Sequence, residues 1–249
     1  MERKRNFMNI CGDTHTHTLI CQHAFSTLLE NVAQAKRLGH RFLAATEHGP
    51  AMAAAPIIWY HMNLPRFVPQ VLDGVVVLRG CEANVLPDGT LDLPESVLEH
   101  LDWVIASMHG GIVPEGLTQE EYTNIWLKVV ENPYVDCIGH LGQEKFKPDY
   151  PTVIRAFRDH NKVVEINASS HIVRQGCEEN CRQIVRLCKE YKVPLVLSSD
   201  AHFAAAIGQV DWCIRLVEEE GYPEDLVLNG DYERFRQGVK KLRGVELPE

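Results

Sequence analysis

Residues 75–84 read VVVLRGCEAN, a short apolar run that leads directly into the carboxylate Glu82 and the amide Asn84. The apolar residues 75–78 follow one another without a period-two alternation. Such a run suits a strand that is covered on both faces, as in a parallel sheet or barrel. Barrel enzymes collect their catalytic groups at the C-terminal ends of the strands. The stretch therefore predicts a buried strand with functional groups at its end.

The same pattern recurs along the chain and indicates an α/β fold. Seven apolar runs end in polar, ligand-type or small residues, at positions 7–11, 42–46, 75–79, 103–106, 135–138, 163–166 and 195–197. Helical periodicity occupies residues 28–38, 120–130, 153–160, 180–191 and 212–220, and residues 231–242 resemble a final amphipathic helix. We predict a single domain, residues 1–249, folded as a TIM-like (β/α)7 barrel. An open doubly wound sheet is the alternative, which strand periodicity alone does not exclude.

Composition and charge are those of a globular domain and disfavour a nucleic-acid partner. Of the 249 residues, 45% are apolar and 24% are charged, and the formal net charge is −9. Nucleic-acid binding needs many Lys and Arg side chains to displace counterions, and no dense basic stripe is present. No apolar run is long enough to span a bilayer, so we expect no membrane partner.

The cysteines and the first residues favour a cytoplasmic protein. The eight Cys residues include no CxxC pair, which favours reduced, mostly buried thiols over a disulfide framework. Arg3, Lys4 and Arg5 are not followed by an apolar segment, so we expect no secretory signal.

Residues of metal-ligand type lie at or just beyond the ends of the apolar runs. There are nine of them: His15, His17, His23, His48, Glu82, His109, His140, Asp200 and His202. His15 and His17 are two apart in extended chain, so both imidazoles face the same side. Asp200 and His202 repeat this spacing after the last run. One HxH pair is as typical of surface or hydrogen-bonded histidines, but two such pairs in one barrel favour a shared site.

A metal site explains why so many ionisable groups would be gathered together. Closely packed charged groups cost several kcal/mol to desolvate unless cations neutralise them. Imidazole with carboxylate oxygen suits zinc, manganese or iron, and the absence of Cys at ligand spacing argues against a structural zinc site of the Cys type. The sequence therefore predicts a polynuclear metal centre.

These residues resemble the motifs of the polymerase and histidinol phosphatase (PHP) family, in particular its small stand-alone phosphatases of the YcdX type. The matching motifs are His15-x-His17, His23, Glu47-His48-Gly49, Glu82-Ala83-Asn84, His109, His140 and Asp200-x-His202. The likeness spans most of the chain, from Asp13 to beyond His202, and all nine ligand positions of the trinuclear members are filled. The resemblance implies a distorted (β/α)7 barrel with metals at the C-terminal ends of its strands.

The resemblance also implies that three divalent metal ions share these ligands. The first ion takes His15, His17, Glu82 and Asp200, the second takes Glu82, His109 and His140, and the third takes His23, His48 and His202. Glu82 then bridges two ions. Zinc is favoured, and manganese or iron is also compatible. One departure is Glu47, where the family commonly has Asp; if this residue orients His48 from behind, the longer side chain changes that support.

The expected chemistry is hydrolysis of a phosphate ester. Three dications against two carboxylates leave a positive pocket, which is complementary to the phosphate of a small phosphorylated substrate. Metal coordination lowers the pKa of water from 15.7 towards about 7, so a metal-bridging hydroxide would attack phosphorus in line. Asp200 is a candidate proton acceptor as well as a ligand, and Glu82 is a candidate catalytic residue as the bridge. The acid that protonates the leaving group is not identified.

Two segments are candidates for contacts with the substrate. The long connection at residues 49–70 carries Trp59, Tyr60, His61 and Arg66 and could act as a lid, although aromatic residues more often pin a loop to the body. Polar residues follow the sixth apolar run: Asn167, Ser169, Ser170, His171 and Arg174. Ser170 and Arg174 could hold phosphate, and helix capping is an equal explanation for the polar residues here.

Three functions are compatible with these features. A metal-dependent phosphatase acting on phosphomonoesters is favoured. A phosphodiesterase or exonuclease is the alternative, because polymerase-associated PHP domains cut nucleic acid, but the net charge of −9 weighs against it. A metal-stabilised module without catalysis is the third. Assembly into a homo-oligomer stays open, since some relatives associate.

Overall fold

The strands form a nearly closed parallel barrel. In the computed structural model, which describes residues 8–174 and 176–249, the strands are β1 (Gly12–Thr16), β2 (Phe42–Ala45), β3 (Val71–Leu72), β4 (Val75–Asn84), β5 (Trp103–Ser107), β6 (Cys137–Ile138), β7 (Val163–Asn167) and β8 (Leu195–Ser198). Seven of these described strands pair in parallel in the order β1-β2-β4-β5-β6-β7-β8, while β3 pairs antiparallel with β4. The ends of the sheet meet where the amide of His17 donates to the carbonyl oxygen of Ala201 at 2.9 Å.

Helices occupy most of the connections between strands. They are α1 (Leu28–Arg37), α2 (Ile58–Phe67), α3 (Glu95–Leu98), α4 (Gln119–Val129), α5 (Tyr150–Asp159), α6 (Ala168–Val173), α7 (Cys177–Tyr191), α8 (Asp211–Glu219) and α9 (Tyr232–Arg243). Capping boxes fix the starts of α1 and α4: Thr27 with Glu30, and Thr118 with Glu121. Among the described residues, none of the helices combines the length and the apolar character that crossing a bilayer requires.

The C-terminal helix, α9, closes the end of the barrel at which the strands begin. Phe235 of α9 stacks on Phe42 of β2 with ring centroids 4.0 Å apart, and it lies 5.7 Å from Trp103 of β5. These rings belong to one buried cluster with strand residues from around the barrel. The guanidinium of Arg243 donates to the carbonyl oxygens of Tyr134, Leu98 and Leu101. The described residues therefore fill the barrel at the N-terminal ends of its strands.

The barrel prediction is confirmed, but the first strand is displaced from its predicted position. The prediction placed it at residues 7–11, of which residue 7 lies outside the described part of the chain, whereas β1 is Gly12–Thr16. Its sequence, GDTHT, is polar, yet all five residues are buried. Gly12 permits close packing, since a Cβ there would lie 2.4 Å from the Phe42 ring. The hydroxyl of Thr16 donates to the carbonyl oxygen of Ala44 at 2.6 Å. Hydrogen bonds thus compensate for the burial of polar groups in this strand.

Two further boundaries differ from the prediction. Strand β4 continues to Asn84, so Glu82 lies inside the strand instead of beyond its end. The segment at residues 49–70 was expected to be one long connection, but it contains α2. Pro65 near the end of α2 and the absence of a side-chain cap at Ile57 removed the usual sequence signals of a helix.

Candidate metal centre

The predicted ligands converge at the C-terminal end of the barrel. His15 lies in β1 and Glu82 in β4, and the others lie in the connections that follow β1, β2, β5, β6 and β8. Because parallel strands all end at the same rim, ligands far apart in sequence meet there. His140 and Asp200 adopt positive φ values of 26° and 54°, which are uncommon for residues other than glycine. Such conformations are often found at functional sites.

Glu82 lies at the centre of the cluster, and its two carboxylate oxygens face different histidine pairs. Oε2 lies 3.3 Å from Nε2 of His15 and 3.6 Å from Nε2 of His17. Oε1 lies 3.2 Å from Nε2 of His109 and 2.9 Å from Nε2 of His140. This is the geometry of a carboxylate that can bridge two cations.

Asp200 completes the first group of donors. Its Oδ1 lies 3.5 Å from Nε2 of His15 and 3.3 Å from Nε2 of His17. Together with Oε2 of Glu82, these atoms surround one point with two imidazole nitrogens and two carboxylate oxygens. Nitrogen and oxygen donors in this combination suit a divalent transition metal.

A third group lies closer to the opening of the site. Nε2 of His23 lies 3.2 Å from Nε2 of His48, and the rings of His23 and His202 stack with centroids 4.8 Å apart. Donor atoms of His17, His48 and His202 all lie within 4.8 Å of one another. Nδ1 of His48 also lies 2.7 Å from Oε2 of Glu82, so this group is continuous with the other two.

Unpartnered atoms show that these residues fit bound cations. Within the described part of the chain, several buried ligand-type atoms accept or donate no hydrogen bond: Nε2 of His15, Nδ1 and Nε2 of His17, Nδ1 of His48 and Oε2 of Glu82. Buried polar atoms nearly always have partners, and each exception calls for an explanation. Metal coordination explains four of them together, because Nε2 of His15, Nε2 of His17 and Nδ1 of His48 all lie around Oε2 of Glu82. The fifth, Nδ1 of His17, faces away from this space.

Local charges give Glu82 and His140 the protonation states that metal coordination needs, whereas at His15, although burial opposes it, the nearby carboxylates of Glu165, Glu82 and Asp200 raise the pKa well above its usual value. Burial opposes ionisation of Glu82, but His15 and His109 beside it hold its pKa well below the usual value. Burial and the nearby Arg174 lower the pKa of His140 to about 4. At neutral pH the carboxylate is therefore ionised and His140 is neutral, as a ligand must be.

Comparisons with known proteins show the family of this chain. The profile of the PHP domain matches residues 13–243, which include the whole set of predicted ligands. The chain belongs to the PHP family. Two proteins named "Probable phosphatase" are similar to this PHP protein: one from Acetivibrio thermocellus is 42% identical over 95% of this chain and 98% of its own length, and one from Clostridium botulinum is 38% identical over 96% and 100%.

A solved structure supports the fold of the PHP barrel. It is the histidinol phosphate phosphatase of Lactococcus lactis, described as complexed with zinc, L-histidinol and phosphate. The match has a TM-score of 0.59 at 19% identity and covers 85% of this chain and 94% of that one. At this identity the likeness establishes the shared fold.

Polar side chains behind the candidate ligands contact two of them. Nδ1 of His109 lies 2.8 Å from Oδ1 of Asn84, whose Nδ2 donates to Oδ2 of Asp92 at 2.6 Å. The amide nitrogen of Gln143 lies 2.7 Å from Nδ1 of His140. The sequence analysis noted Asn84 only as part of a motif and did not single out Asp92 or Gln143. Asp92 and Gln143 lie several residues after a strand, where the sequence pattern does not mark functional residues.

Glu165 is a buried carboxylate of the site that sequence analysis missed. It lies in β7 with 2% of its surface exposed, and its Oε1 lies 2.6 Å from Nδ1 of His15. A signal was present, because a lone acidic residue interrupts the apolar run VVEI at residues 163–166. Charged residues are almost never fully buried unless they are paired. The sequence could therefore have predicted that Glu165 has a partner in the site.

Glu47, the residue that departs from the family motif, faces His17 and not the ring of His48. Its Oε1 accepts a hydrogen bond from the amide of Thr18 at 2.9 Å, and its Oε2 lies 4.0 Å from Nδ1 of His17. Burial raises the pKa of Glu47 to about 7. The longer side chain therefore supports the chain after β1 and leaves His48 where the third group needs it.

One of the predicted substrate contacts, Arg174, reaches the centre, and a second, Ser170, lies behind it. The guanidinium of Arg174 donates to Oδ2 of Asp200 at 3.4 Å and to Oγ of Ser170 at 3.1 Å. Its side chain is 16% exposed. Ser170 is buried, and its amide donates to Oδ1 of Asn167 at 3.0 Å, which caps α6. The capping explanation thus holds for Asn167 and Ser170, while Arg174 contacts Asp200, one of the candidate metal ligands.

The other two predicted contacts lie elsewhere. His61 is fully buried in α2, and its Nε2 donates to the carbonyl oxygen of His48 at 3.2 Å, so it supports the backbone of a ligand. Burial lowers the pKa of His61 to about 4, which keeps the ring neutral. Arg66 is exposed in the last turn of α2. Of the neighbouring aromatics, Tyr60 packs edge-on against His61, whereas Trp59 is 65% exposed.

Proposed function

We propose that this PHP-family protein is a metal-dependent phosphatase that hydrolyses small phosphomonoesters at a three-metal site. One observation carries the proposal: the oxygens of Glu82 face two separate histidine pairs, and buried nitrogens around them have no other partner among the described residues. The names of the similar proteins and the phosphate bound to the related barrel support the same activity.

The three groups of donors define the proposed metal positions. The first comprises His15, His17, Glu82 and Asp200, the second comprises Glu82, His109 and His140, and the third comprises His23, His48 and His202. Mixed imidazole and carboxylate donors favour zinc, with manganese or iron as alternatives. Cations bound there would lower the pKa of coordinated water towards about 7 and polarise phosphoryl oxygens.

The side chains of the protein would hold the phosphate in place. Arg174 presents a guanidinium beside Asp200, and guanidinium groups bind phosphate oxygens through paired, charge-assisted hydrogen bonds. Its bond to Asp200 is long, at 3.4 Å, so the guanidinium can exchange this contact for a phosphate oxygen. The carboxylates of Glu82 and Asp200 would hold the cations close to one another. Arg174 would orient the substrate for in-line attack.

A substrate panel combined with metal analysis tests this proposal. Purified protein loaded with zinc or manganese is assayed against small phosphomonoesters, a phosphodiester and single-stranded DNA. We expect turnover of monoesters, loss of turnover in Asp200→Asn, and about three metals per chain. Cleavage of DNA without turnover of monoesters would favour the exonuclease instead. Fewer than two metals per chain in active protein would contradict the three-metal site.

A further inference from the structure

Glu165 is the only charged residue of β7, and its carboxylate has a complete set of donors. Oε1 accepts from Nδ1 of His15 and from the hydroxyl of Ser198, each at 2.6 Å. Oε2 accepts from the amide of His140 at 2.7 Å and from Nδ2 of Asn167 at 3.2 Å. An ionised carboxylate offers about four lone-pair sites, so these four donors saturate it. Such saturation is how a protein retains a fully buried charge.

The contact with His15 fixes which ring nitrogen carries the proton. Because an ionised carboxylate accepts and cannot donate, Nδ1 of His15 must be the protonated nitrogen. The lone pair of Nε2 then points to the space near Oε2 of Glu82, at 3.3 Å, and Oδ1 of Asp200, at 3.5 Å. A carboxylate behind a metal-binding imidazole holds its orientation and raises its basicity.

The contact with His140 holds a backbone that is costly to form. His140 has a φ of 26°, outside the regions that residues other than glycine prefer. Its amide points at Oε2 of Glu165, which favours this conformation. Asn167 extends the connection, because its Nδ2 also donates to Oδ2 of Asp200 at 3.1 Å. One buried carboxylate therefore links ligands from three different strand ends.

We propose that Glu165 is the positioning residue of the metal centre, setting the tautomer of His15 and the backbone of His140 so that the first two metal positions are formed before metal arrives. This inference rests on the metal site proposed above. The third group, His23, His48 and His202, has no contact with Glu165 among the bonds of the described residues, so its affinity for metal should depend on Glu165 less than that of the first two positions.

Glu165→Gln tests the inference with little change in volume. Glutamine has one acceptor oxygen, so its NH2 group must face either His15 or the amide of His140. We expect the first two metal positions to weaken by about 10- to 100-fold in competition with a chelator, and the third position to weaken less. Asp136→Asn is the matched control, because Asp136 is equally buried at the bottom of the barrel and should leave metal binding unchanged.

Each result decides the question. Wild-type metal affinity in folded Glu165→Gln would overturn the inference, whereas a wild-type protein that binds no metal would overturn the proposed function itself. If Glu165→Gln does not fold, nitrogen-15 NMR of the metal-free wild-type protein decides. We then expect Nδ1 of His15 to carry a proton with a strongly downfield signal; an unprotonated Nδ1 would overturn the inference.

Discussion

Arg174 donates to Asp200 across 3.4 Å, which places a guanidinium directly beside a ligand of the first metal position. Hydrogen bonds to charged groups contribute about 1.5–3 kcal/mol, or roughly 10- to 150-fold in binding. We predict that Arg174→Ala raises KM for a phosphomonoester within this range while the metal content, measured by elemental analysis, stays at the wild-type value. Arg186→Ala is the control, since Arg186 pairs with Glu220 on the surface. Loss of metal in Arg174→Ala would mean that the guanidinium serves the ligands and not the substrate.

Removing the metals should destabilise the protein. Without cations, the buried atoms of the candidate ligands that have no hydrogen-bond partner stay unpaired. In addition, any ligand that binds only the folded state stabilises that state. At metal concentrations about 100 times the dissociation constant this contributes about 2.7 kcal/mol per site. We predict that chelation lowers the midpoint of thermal unfolding by at least about 5 °C, measured by calorimetry. An unchanged midpoint after complete metal removal would contradict this.

Helix α9, which packs against the N-terminal end of the barrel, should stabilise the fold without contributing to the metal centre. Phe235 is fully buried against Phe42 and Trp103. Replacing a buried Phe by Ala costs about 3–5 kcal/mol. Denaturant unfolding should therefore show a loss of this size for Phe235→Ala, and metal content per folded chain should not change. In Phe67→Ala, where the ring is 79% exposed, we expect a change within about 0.5 kcal/mol. Similar losses in both variants would show that α9 does not close the barrel as described.

Asp136 should make stability depend on pH in the metal-free protein. Burial raises its pKa from 3.8 to about 7, although Arg243 opposes the shift. The folded protein therefore holds a proton that the unfolded chain releases above about pH 4, so this contribution to stability is present at low pH and is lost as pH rises towards 7. Relative to wild type, Asp136→Asn should gain up to about 1.4 kcal/mol per pH unit across this window. Urea unfolding at several pH values, in the presence of a chelator, gives the free energy of unfolding of both proteins. If the difference between them does not change with pH, the prediction is wrong.

The sequence predicted the barrel and the residues that converge at its rim better than the groups that support them. Runs such as residues 163–166 predict buried strands because apolar residues must be covered on both faces. Histidines after strand ends follow from where parallel strands meet. The polar strand β1 was misplaced because its burial depends on hydrogen bonds such as that from Thr16 to Ala44, which no hydrophobic pattern reveals. The lone acidic residue in the run at 163–166 marked Glu165, but its partner His15 lies 150 residues away, so its role did not follow from the pattern. Asp92 was missed because a carboxylate in a connection carries no pattern, even though its partner Asn84 is only eight residues away.

Anomalous diffraction from crystals of the zinc-loaded protein tests the central claim most directly. The account predicts three zinc peaks, two of them on either side of Glu82, with one bound by Oε1 near His109 and His140 and the other by Oε2 near His15 and His17. The third peak should lie among His23, His48 and His202. A single peak, or peaks that do not contact Glu82, would contradict the bridging carboxylate and the phosphatase mechanism that rests on it.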